Sequence, residues 1–319
     1  MRPLVIGTRG SSLALCQAEI VQARLEERFP DQAFRLQTIK AQADAKPDVP
    51  LIAMSGEGIF VKELEAALLK GRVDLAVHSL KDLPLATPSG VCLAAILERD
   101  EPRDALVSSS GALFERLPPG SRVGTSSLRR RSQLLSRRGD LQLLDIRGNV
   151  DTRLRKLDEG RFDAIVIAAC GLIRLGLEER ITEHLEFSVM LPEPGQGALA
   201  VEARSEDRQT LERLRALDDP TTRAEVEAER AFLQALGGGC RVPIAAYAAL
   251  NGGTLELEGA VIAPDGSRSV RGRATGPLTE PIALGERLAQ ELISRGALEL
   301  LQPENKTGRG RQAPPAAGR

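Results

Sequence analysis

Over the first 200 residues, short apolar runs alternate with longer stretches in which apolar residues recur every three or four positions. Such runs are typical of buried strands and such stretches of amphipathic helices, so the pattern predicts βαβ units around largely parallel sheets. Two charged or proline-rich segments interrupt the pattern, at residues 98–103 and 191–197. We call them the first and the second crossing, because each connects the two predicted lobes. We therefore predict two α/β lobes, residues 1–98 and 103–191, with a site in the cleft at the carboxyl ends of their strands.

The same pattern gives the elements of the two lobes. The predicted strands are 4–7, 34–40, 74–79, 93–97, 122–124, 141–146, 164–168 and 199–203, and the predicted helices are 11–28, 59–70, 127–138 and 150–159. Residues 41–58 form a long connection between a strand and a helix. A connection of that length is typical of a functional lid or a disordered segment.

From Pro220 onward the pattern changes to one helix, three strand-like runs and a closing helix. The helices are predicted at 221–236 and 280–295, and the strands at 244–250, 254–262 and 267–275. This order predicts a small α+β domain over residues 220–302 with a three-stranded antiparallel sheet. Residues 303–319 combine proline and glycine without apolar periodicity, which predicts a disordered tail.

Composition narrows the function classes. The chain has no Trp, one Tyr and seven Phe, too few aromatics for a base-stacking nucleic-acid platform. No apolar stretch approaches the roughly 20 residues of a membrane helix, and the N-terminus lacks a secretory signal pattern. Two histidines and four scattered cysteines form no ligand cluster, so we expect no metal and no disulfide. We expect a cytoplasmic protein without nucleic-acid or membrane partners.

The charges are unevenly placed, although 43 Lys and Arg against 44 Asp and Glu leave a net charge of −1. Residues 121–156 hold ten cations and three acids, a local charge of +7. Two of the cations, Arg129 and Arg130, follow a predicted strand and helix cap, where a cation opposes the helix dipole. A bound anion would offset this unfavourable interaction. It could accept hydrogen bonds from free backbone N–H groups, from hydroxyls and from guanidinium groups.

Arginines close to a predicted strand end and helix start occur at two other places. Arg147 and Arg153 flank a predicted helix start, and Arg9 lies between a predicted strand and helix. Three such sites predict a polyanionic ligand carrying carboxylates or phosphates. A solvated, charged helix face is the alternative.

Two further positions carry candidate chemistry. Lys81 and Asp82 follow an apolar strand, where an aspartate among arginines stays ionised and suits stabilising a cation or moving protons. A surface turn closed by Pro84 is the alternative. Cys240 follows three glycines and is a candidate exposed nucleophile, although no histidine nearby supports a cysteine hydrolase. The other three cysteines lie in apolar contexts and are predicted to be core residues, and His78 is predicted to be buried and hydrogen-bonded.

Six short motifs, in the same order, resemble the porphobilinogen deaminase family, also called hydroxymethylbilane synthases. They span residues from about 5 to 300. The motifs are Gly7-Thr8-Arg9, His78-Ser79-Leu80-Lys81-Asp82-Leu83-Pro84, Gly124-Thr125-Ser126-Ser127-Leu128-Arg129-Arg130, Arg147-Gly148-Asn149-Val150, Pro194-Gly195-Gln196-Gly197 and Gly238-Gly239-Cys240. One such motif would be a weak signal, whereas six in register are specific.

The resemblance implies two doubly wound lobes like those of periplasmic binding proteins, with residues 198–216 returning to the first lobe. It implies that the 220–302 domain carries a covalent dipyrromethane cofactor, joined by a thioether to Cys240. Members of the family are transferases of haem and porphyrin biosynthesis. They add four porphobilinogens head to tail with loss of four ammonia, and water then releases the linear tetrapyrrole hydroxymethylbilane. A monomer is expected.

The resemblance also implies roles for individual residues. Asp82 matches the catalytic carboxylate. The positions that match cofactor contacts are Lys81, Asp82, Thr125, Ser127, Arg129 and Arg130. The positions that match substrate or chain contacts are Arg9, Ser11, Gln17, Ser79, Arg147, Arg153 and Arg174.

The sequence departs from the family in the long connection. A Gly-Gly-Lys-Gly stretch is usual there, but this chain has Ser55-Gly56-Glu57-Gly58, and it has Ala41 and Ala43 before Asp44. We hypothesise that this lid contacts the growing chain differently, because Glu57 reverses a charge beside an anionic product. Two alternatives remain: a cytosolic polycarboxylate-binding protein, in which Cys240 has no role, and an Arg-rich nucleic-acid-binding module, whose binding would fall steeply with salt.

Overall fold

The computed structural model describes residues 2–40, 61–238 and 242–301, which form three sheets. The first is five-stranded with the order β2-β1-β3-β10-β4. Its strands are β1 (Leu4–Thr8), β2 (Phe34–Thr38), β3 (Leu75–Ser79), β4 (Val91–Ile96) and β10 (Leu199–Arg204). Strand β1 runs parallel to β2 and β3, but β10 is antiparallel to both its neighbours. The prediction of a largely parallel sheet is therefore wrong at β10, which inserts between β3 and β4 after the chain has left for the second sheet and returned.

Three helices accompany this first sheet: α1 (Ser12–Arg28), α2 (Lys62–Leu69) and α6 (Arg208–Arg215). The sequence pattern did not predict α6, which has only two apolar residues, Leu211 and Leu214, in eight positions. Its cap is clear in the structure, because the Asp207 side chain accepts a hydrogen bond from the Thr210 amide.

The second sheet is also five-stranded, with the order β7-β6-β8-β5-β9. Its strands are β5 (Asp104–Ser108), β6 (Arg122–Gly124), β7 (Gln142–Leu144), β8 (Ala164–Ala168) and β9 (Glu183–His184). The helices of this part are α3 (Leu128–Arg137), α4 (Val150–Asp158) and α5 (Ala169–Arg174). Strand β5 and helix α5 were not predicted, and β5 is antiparallel to both β8 and β9, so the prediction of a largely parallel sheet is wrong here too. Strand β5 has only three consecutive apolar residues, and α5 continues the apolar run of β8 without a break in pattern.

The third sheet is antiparallel, with the order β11-β12-β13, as predicted. Its strands are β11 (Ile244–Asn251), β12 (Thr254–Ile262) and β13 (Ser269–Pro277). Helices α7 (Pro220–Ala235) and α8 (Pro281–Ser294) share one core with this sheet, in which Phe232 and Leu288 are fully buried. The fold is thus two α/β lobes, each built around a five-stranded sheet, and a small α+β unit.

The two crossings between the lobes are tied to the α+β unit by a buried ion pair. Arg99 Nη1 lies 2.6 Å from Glu229 Oε1. The Glu229 carboxylate also accepts hydrogen bonds from the amides of Gly195 and Ala248. The crossings touch at Gly197, whose φ is +94° and where a Cβ would lie 2.6 Å from the Asp100 carbonyl oxygen. A side chain is therefore excluded there. The residue boundaries of the predicted domains remain a prediction.

Two cysteine predictions are wrong. Cys170 is buried, but Cys16 and Cys92 are only partly buried. Cys16 lies at the contact between lobes, where its thiol donates a hydrogen bond to the Arg174 carbonyl. His78 is buried as predicted, with Nε2 3.0 Å from Glu202 Oε2.

Candidate active site

The site begins at the start of helix α3. Strand β6 ends at Gly124, and the Ser127 side chain caps α3 by accepting a hydrogen bond from the Arg130 amide. The Ser127 amide in turn donates to Thr125 Oγ1. This short turn places Arg129 and Arg130 in the first helical turn, where both side chains are buried, with 3% and 7% exposure.

An internal carboxylate lies beside these two arginines. Asp104, the first residue of β5, is fully buried, with Oδ2 2.8 Å from Arg129 Nη1 and Oδ1 2.8 Å from Arg130 Nη2. Burial alone would raise the pKa of Asp104, but the two guanidinium groups outweigh it and hold that pKa well below its usual range. The anion that offsets cations at this helix start is therefore, in part, the protein's own.

The two arginines differ in the hydrogen bonds they have left. Arg130 uses all three nitrogens: Nε and Nη2 on Asp104, and Nη1 on the Val166 carbonyl. Arg129 uses only Nη1, which donates to Asp104 and to the Leu191 carbonyl. Its Nε and Nη2 are buried and have no acceptor among the described residues. Since buried donors are almost always paired, these two point to a missing acceptor.

Arg129 lines a cavity at the junction of the three units. The cavity is partly open to solvent. Its polar lining includes Lys81 from the first lobe, Ser127 from the second and Arg230 from α7. Val242, two residues after Cys240 in the sequence, lines it as well.

Neighbouring groups fix the cations around this cavity. Gln196, in the second crossing, accepts a hydrogen bond from Lys81 Nζ at 3.2 Å and donates to Asp104 Oδ1 at 3.0 Å. Arg230 donates to the carbonyls of residues 83, 84 and 85. The segment that follows Asp82 is therefore held by the α+β unit.

Asp82 lies in a short 3₁₀ helix, Leu80–Asp82, that directly follows β3, and its side chain is exposed. Across the cleft, burial lowers the pKa of half-buried Arg153 to about 10. Repulsion from Arg130 and Arg147 acts in the same direction, whereas attraction to Asp82 opposes it. Arg153 is still cationic at neutral pH and is repelled by two other arginines, an arrangement that favours an anionic ligand.

The remaining predicted substrate contacts lie on both sides of the cleft. Ser11 caps α1, accepting from the Ala14 amide, and Arg9 lies just before it, after β1. Gln17 donates to Ser79 Oγ at 2.8 Å, so these two predicted residues are in contact. Arg174 is ion-paired with Asp100, with Nη2 and Oδ2 2.7 Å apart, and it also donates to the Gly197 carbonyl. It therefore holds the two crossings together.

Two family models match the chain. "Porphobilinogen deaminase, dipyromethane cofactor binding domain" matches residues 4–212, and "Porphobilinogen deaminase, C-terminal domain" matches residues 223–294. The chain belongs to the porphobilinogen deaminase family. The first match identifies the two lobes as the cofactor-binding part of this family.

Curated relatives agree over nearly the whole chain. The porphobilinogen deaminase of Roseiflexus castenholzii is 52% identical over 93% of this chain and 98% of its own length. That of Pelobacter propionicus is 49% identical over 94% and 97%. Among solved structures, a TRAP periplasmic solute binding protein from Desulfovibrio salexigens matches 68% of this chain and 72% of its own, at 13% identity and a TM-score of 0.39. That likeness is too distant to indicate a shared ligand.

Some predicted features lie outside the described residues: the attachment residue Cys240 and the lid with Asp44 and Glu57. In the described ranges, no three histidine, cysteine or acidic side chains come together in a way that could hold a metal. No helix in those ranges is long and apolar enough to cross a membrane.

Three contributors to the site were missed from the sequence: Asp104, Gln196 and Arg230. A weak signal existed for the first, a charged residue at the start of an apolar run, and for the second, a glutamine between two glycines in a quoted motif. Arg230 lies on an ordinary amphipathic helix and gave no signal.

Proposed function

We propose that this chain is a hydroxymethylbilane synthase, which joins four porphobilinogens head to tail with loss of four ammonia in haem and porphyrin biosynthesis. The single observation that carries the proposal is the buried, unpaired edge of Arg129 in a cavity that also holds Lys81 and Ser127. A dipyrromethane fits this site, because its carboxylates would supply the missing acceptors. We propose that it is attached by a thioether to Cys240.

The bound dipyrromethane would supply the nucleophilic pyrrole carbon to which the first substrate unit is added, and each later unit would be added to the terminal pyrrole of the growing chain. Lys81, Ser127 and Arg129 would hold its carboxylates, with Thr125 supporting the Ser127 turn. Arg130 belongs to the same group but reaches Asp104 in this structure. The cofactor would thus be fixed at the junction of both lobes and the α+β unit.

Asp82 is the residue that we propose as catalytic. In each addition, the C–N bond of a porphobilinogen breaks as ammonia leaves, and a C–C bond to the chain forms with loss of a proton. An exposed carboxylate at the mouth of the cleft can stabilise the positive charge that develops on the substrate carbon. It can also accept the proton that leaves the attacking pyrrole carbon. Substrate carboxylates would meet Arg147 and Arg153, with Arg9, Ser11, Gln17, Ser79 and Arg174 completing the predicted contact set.

The boundaries proposed for the three units are residues 1–98 with 198–216, residues 103–191, and residues 220–302. We propose that the protein works as a cytoplasmic monomer on a small-molecule substrate, without nucleic acid or membrane. Light scattering of the purified protein should then give one chain's mass, 34.3 kDa, and binding to duplex DNA should be absent at low salt. A dimer mass would contradict the first statement.

The intact mass of the purified protein tests the function. We expect an excess over the sequence mass equal to a dipyrromethane, with a colour reaction to a pyrrole-aldehyde reagent. Cys240→Ser should lose both, whereas Cys92→Ser, which alters a partly buried thiol in the first lobe, should keep them. A bare-sequence mass with full release of hydroxymethylbilane would overturn the proposal.

Asp82→Ala tests the catalytic role. Turnover of porphobilinogen should fall by roughly 10²–10⁴-fold, the usual contribution of a general acid–base group, while the cofactor mass stays. Because the side chain is exposed, stability should not change. The matched control is Asp31→Ala, which removes an exposed aspartate in the turn after α1. Wild-type turnover in Asp82→Ala would remove the residue from its role.

A further inference from the structure

We propose that Asp104 is a positioning residue that gives the two adjacent arginines different tasks. It fixes Arg130 as part of the protein framework, and it orients Arg129 so that one edge of that guanidinium receives a single carboxylate of the bound pyrrole chain. The inference rests on the proposed function and assigns a role to a residue that touches neither substrate nor cofactor.

Each of the three nitrogens of Arg130 contacts an acceptor within the protein. Its Nε lies 3.0 Å and its Nη2 2.8 Å from Asp104 Oδ1, so the whole side edge of the guanidinium points at that one oxygen. Nη1 donates to the Val166 carbonyl of β8 at 3.3 Å. A ligand carboxylate would have to displace Asp104 to gain this edge.

Arg129 is held from the opposite side. Nη1 donates to Asp104 Oδ2 at 2.8 Å and to the Leu191 carbonyl at 2.7 Å, which uses both of its hydrogens. Nε and Nη2, which remain without acceptors in the described part of the chain, lie on one edge of the planar guanidinium. Two parallel N–H groups on one edge match the two oxygens of a carboxylate.

The charge balance supports the same conclusion. One buried aspartate faces two buried arginines, and Lys81 is close enough to lower the pKa of Asp104 further. The cluster therefore has more positive than negative charge, and an uncompensated buried charge is strongly unfavourable. One ligand carboxylate on Arg129 would complete the ion pairing without disturbing Arg130.

The test measures how fast the apoprotein acquires its cofactor, which does not depend on turnover by loaded enzyme. Full-length apoprotein from cells that cannot make porphobilinogen is mixed with porphobilinogen, and the gain of pyrrole units is followed by intact mass. The variants are Asp104→Asn, Asp104→Glu, Arg130→Met and the double variant Asp104→Asn with Arg130→Met. Asp74→Asn is the matched control, because Asp74 is also a buried aspartate bound to two arginines, but it directly precedes β3 in the first lobe.

Asp104→Asn should slow loading about tenfold or more, because Arg129 loses a charged anchor. Asp104→Glu should recover part of the rate, since it keeps the charge. Because Arg130 contributes through Asp104, the double variant should be no slower than the slower single variant. Asp74→Asn should load at the wild-type rate.

Loading of folded Asp104→Asn within about twofold of wild type, or a double variant slowed by the product of the two single effects, would overturn the inference. If Asp104→Asn does not fold, the double variant decides alone, since it keeps the net charge of the cluster, and a wild-type rate there is the contrary result. If wild-type apoprotein gains no mass, the proposed function is wrong, and the inference is wrong with it.

Discussion

Asp74 and Asp104 are two buried aspartates that each bind two arginines, and their surroundings differ. Asp74 accepts from Arg2, from Arg204 and from the Val5 amide, but Arg2 is 67% exposed, so part of this pair is in water. The arginines of Asp104 are at most 7% exposed, and one of them keeps two donors without acceptors in the described residues.

The comparison shows that the same ion-pair chemistry can serve two purposes. The contacts of Asp74 described above are all with other groups of the protein, and they join the N-terminal segment, β3 and β10. At Asp104 the ion pairing is incomplete in a buried cluster that excludes water. This lowers the stability of the folded protein unless a ligand completes the pairing. Donors without acceptors in the described residues, rather than the number of charges, distinguish Arg129, the proposed binding arginine, from the other three.

The largest expected contrast is between one arginine of each cluster. Arg129→Gln removes the edge that would hold a carboxylate, so cofactor loading should fall about 100-fold, the upper range for a hydrogen bond to a charged group. Arg204→Gln should leave loading unchanged, since its partners are Asp74, Asp207 and backbone carbonyls. Intact mass against time measures both. Equal loading in the two variants would contradict the distinction.

The next effect concerns stability. Asp74→Asn should lower the free energy of unfolding by about 2 kcal/mol, less than the 3–5 kcal/mol for breaking a fully buried pair, because Arg2 is already solvated. Urea denaturation of the apoprotein measures it. Arg2→Gln is the control and should cost about 1 kcal/mol or less, as for exposed pairs. A loss of cofactor loading in Asp74→Asn without a loss of stability would reverse the assignment.

The smallest effect is on acid stability. Burial raises the pKa of Asp74, but hydrogen bonds from Arg2, Val5 and Arg204 outweigh it, so the pKa lies below its ordinary value. A carboxyl group with a lowered pKa adds stability above the unfolded pKa, near 3.9, and that contribution is lost as pH falls through the folded value. The fall in unfolding free energy below about pH 5 should therefore be shallower in Asp74→Asn than in wild type. A parallel curve would show that Asp74 does not titrate in this way.

Much of the fold could be predicted because the signals are local. The run that ends at Ser79, followed by Lys81 and Asp82, placed both charged residues at a strand end. Helix caps such as Ser127 are also local and were correctly anticipated. The difference between Arg129 and Arg130 was not predictable, because it depends on Asp104, which is 25 residues away from Arg129 in the sequence and starts a strand with a very short apolar run.

The antiparallel insertion of β10 could not be predicted from the sequence, for a related reason. Strand β10 is antiparallel but buried on both faces, a pattern typical of parallel strands, so its sequence did not reveal its orientation. Its position follows from the second crossing, where Gln196 and Gly197 contact the first crossing and β5. Long-range contacts of this kind determine the site, whereas local patterns determine its elements.

The cavity beside Arg129 has a consequence for the maturation of the protein. Its walls come from the segment after β3, the start of α3, the second crossing, helix α7 and the start of β11, so they span residues 81 to 244 and all three units. No fragment containing a single lobe has all of these walls. Under the proposed function, cofactor uptake would therefore have to follow the folding of all three units, and the bound cofactor would mark a chain whose three units have assembled.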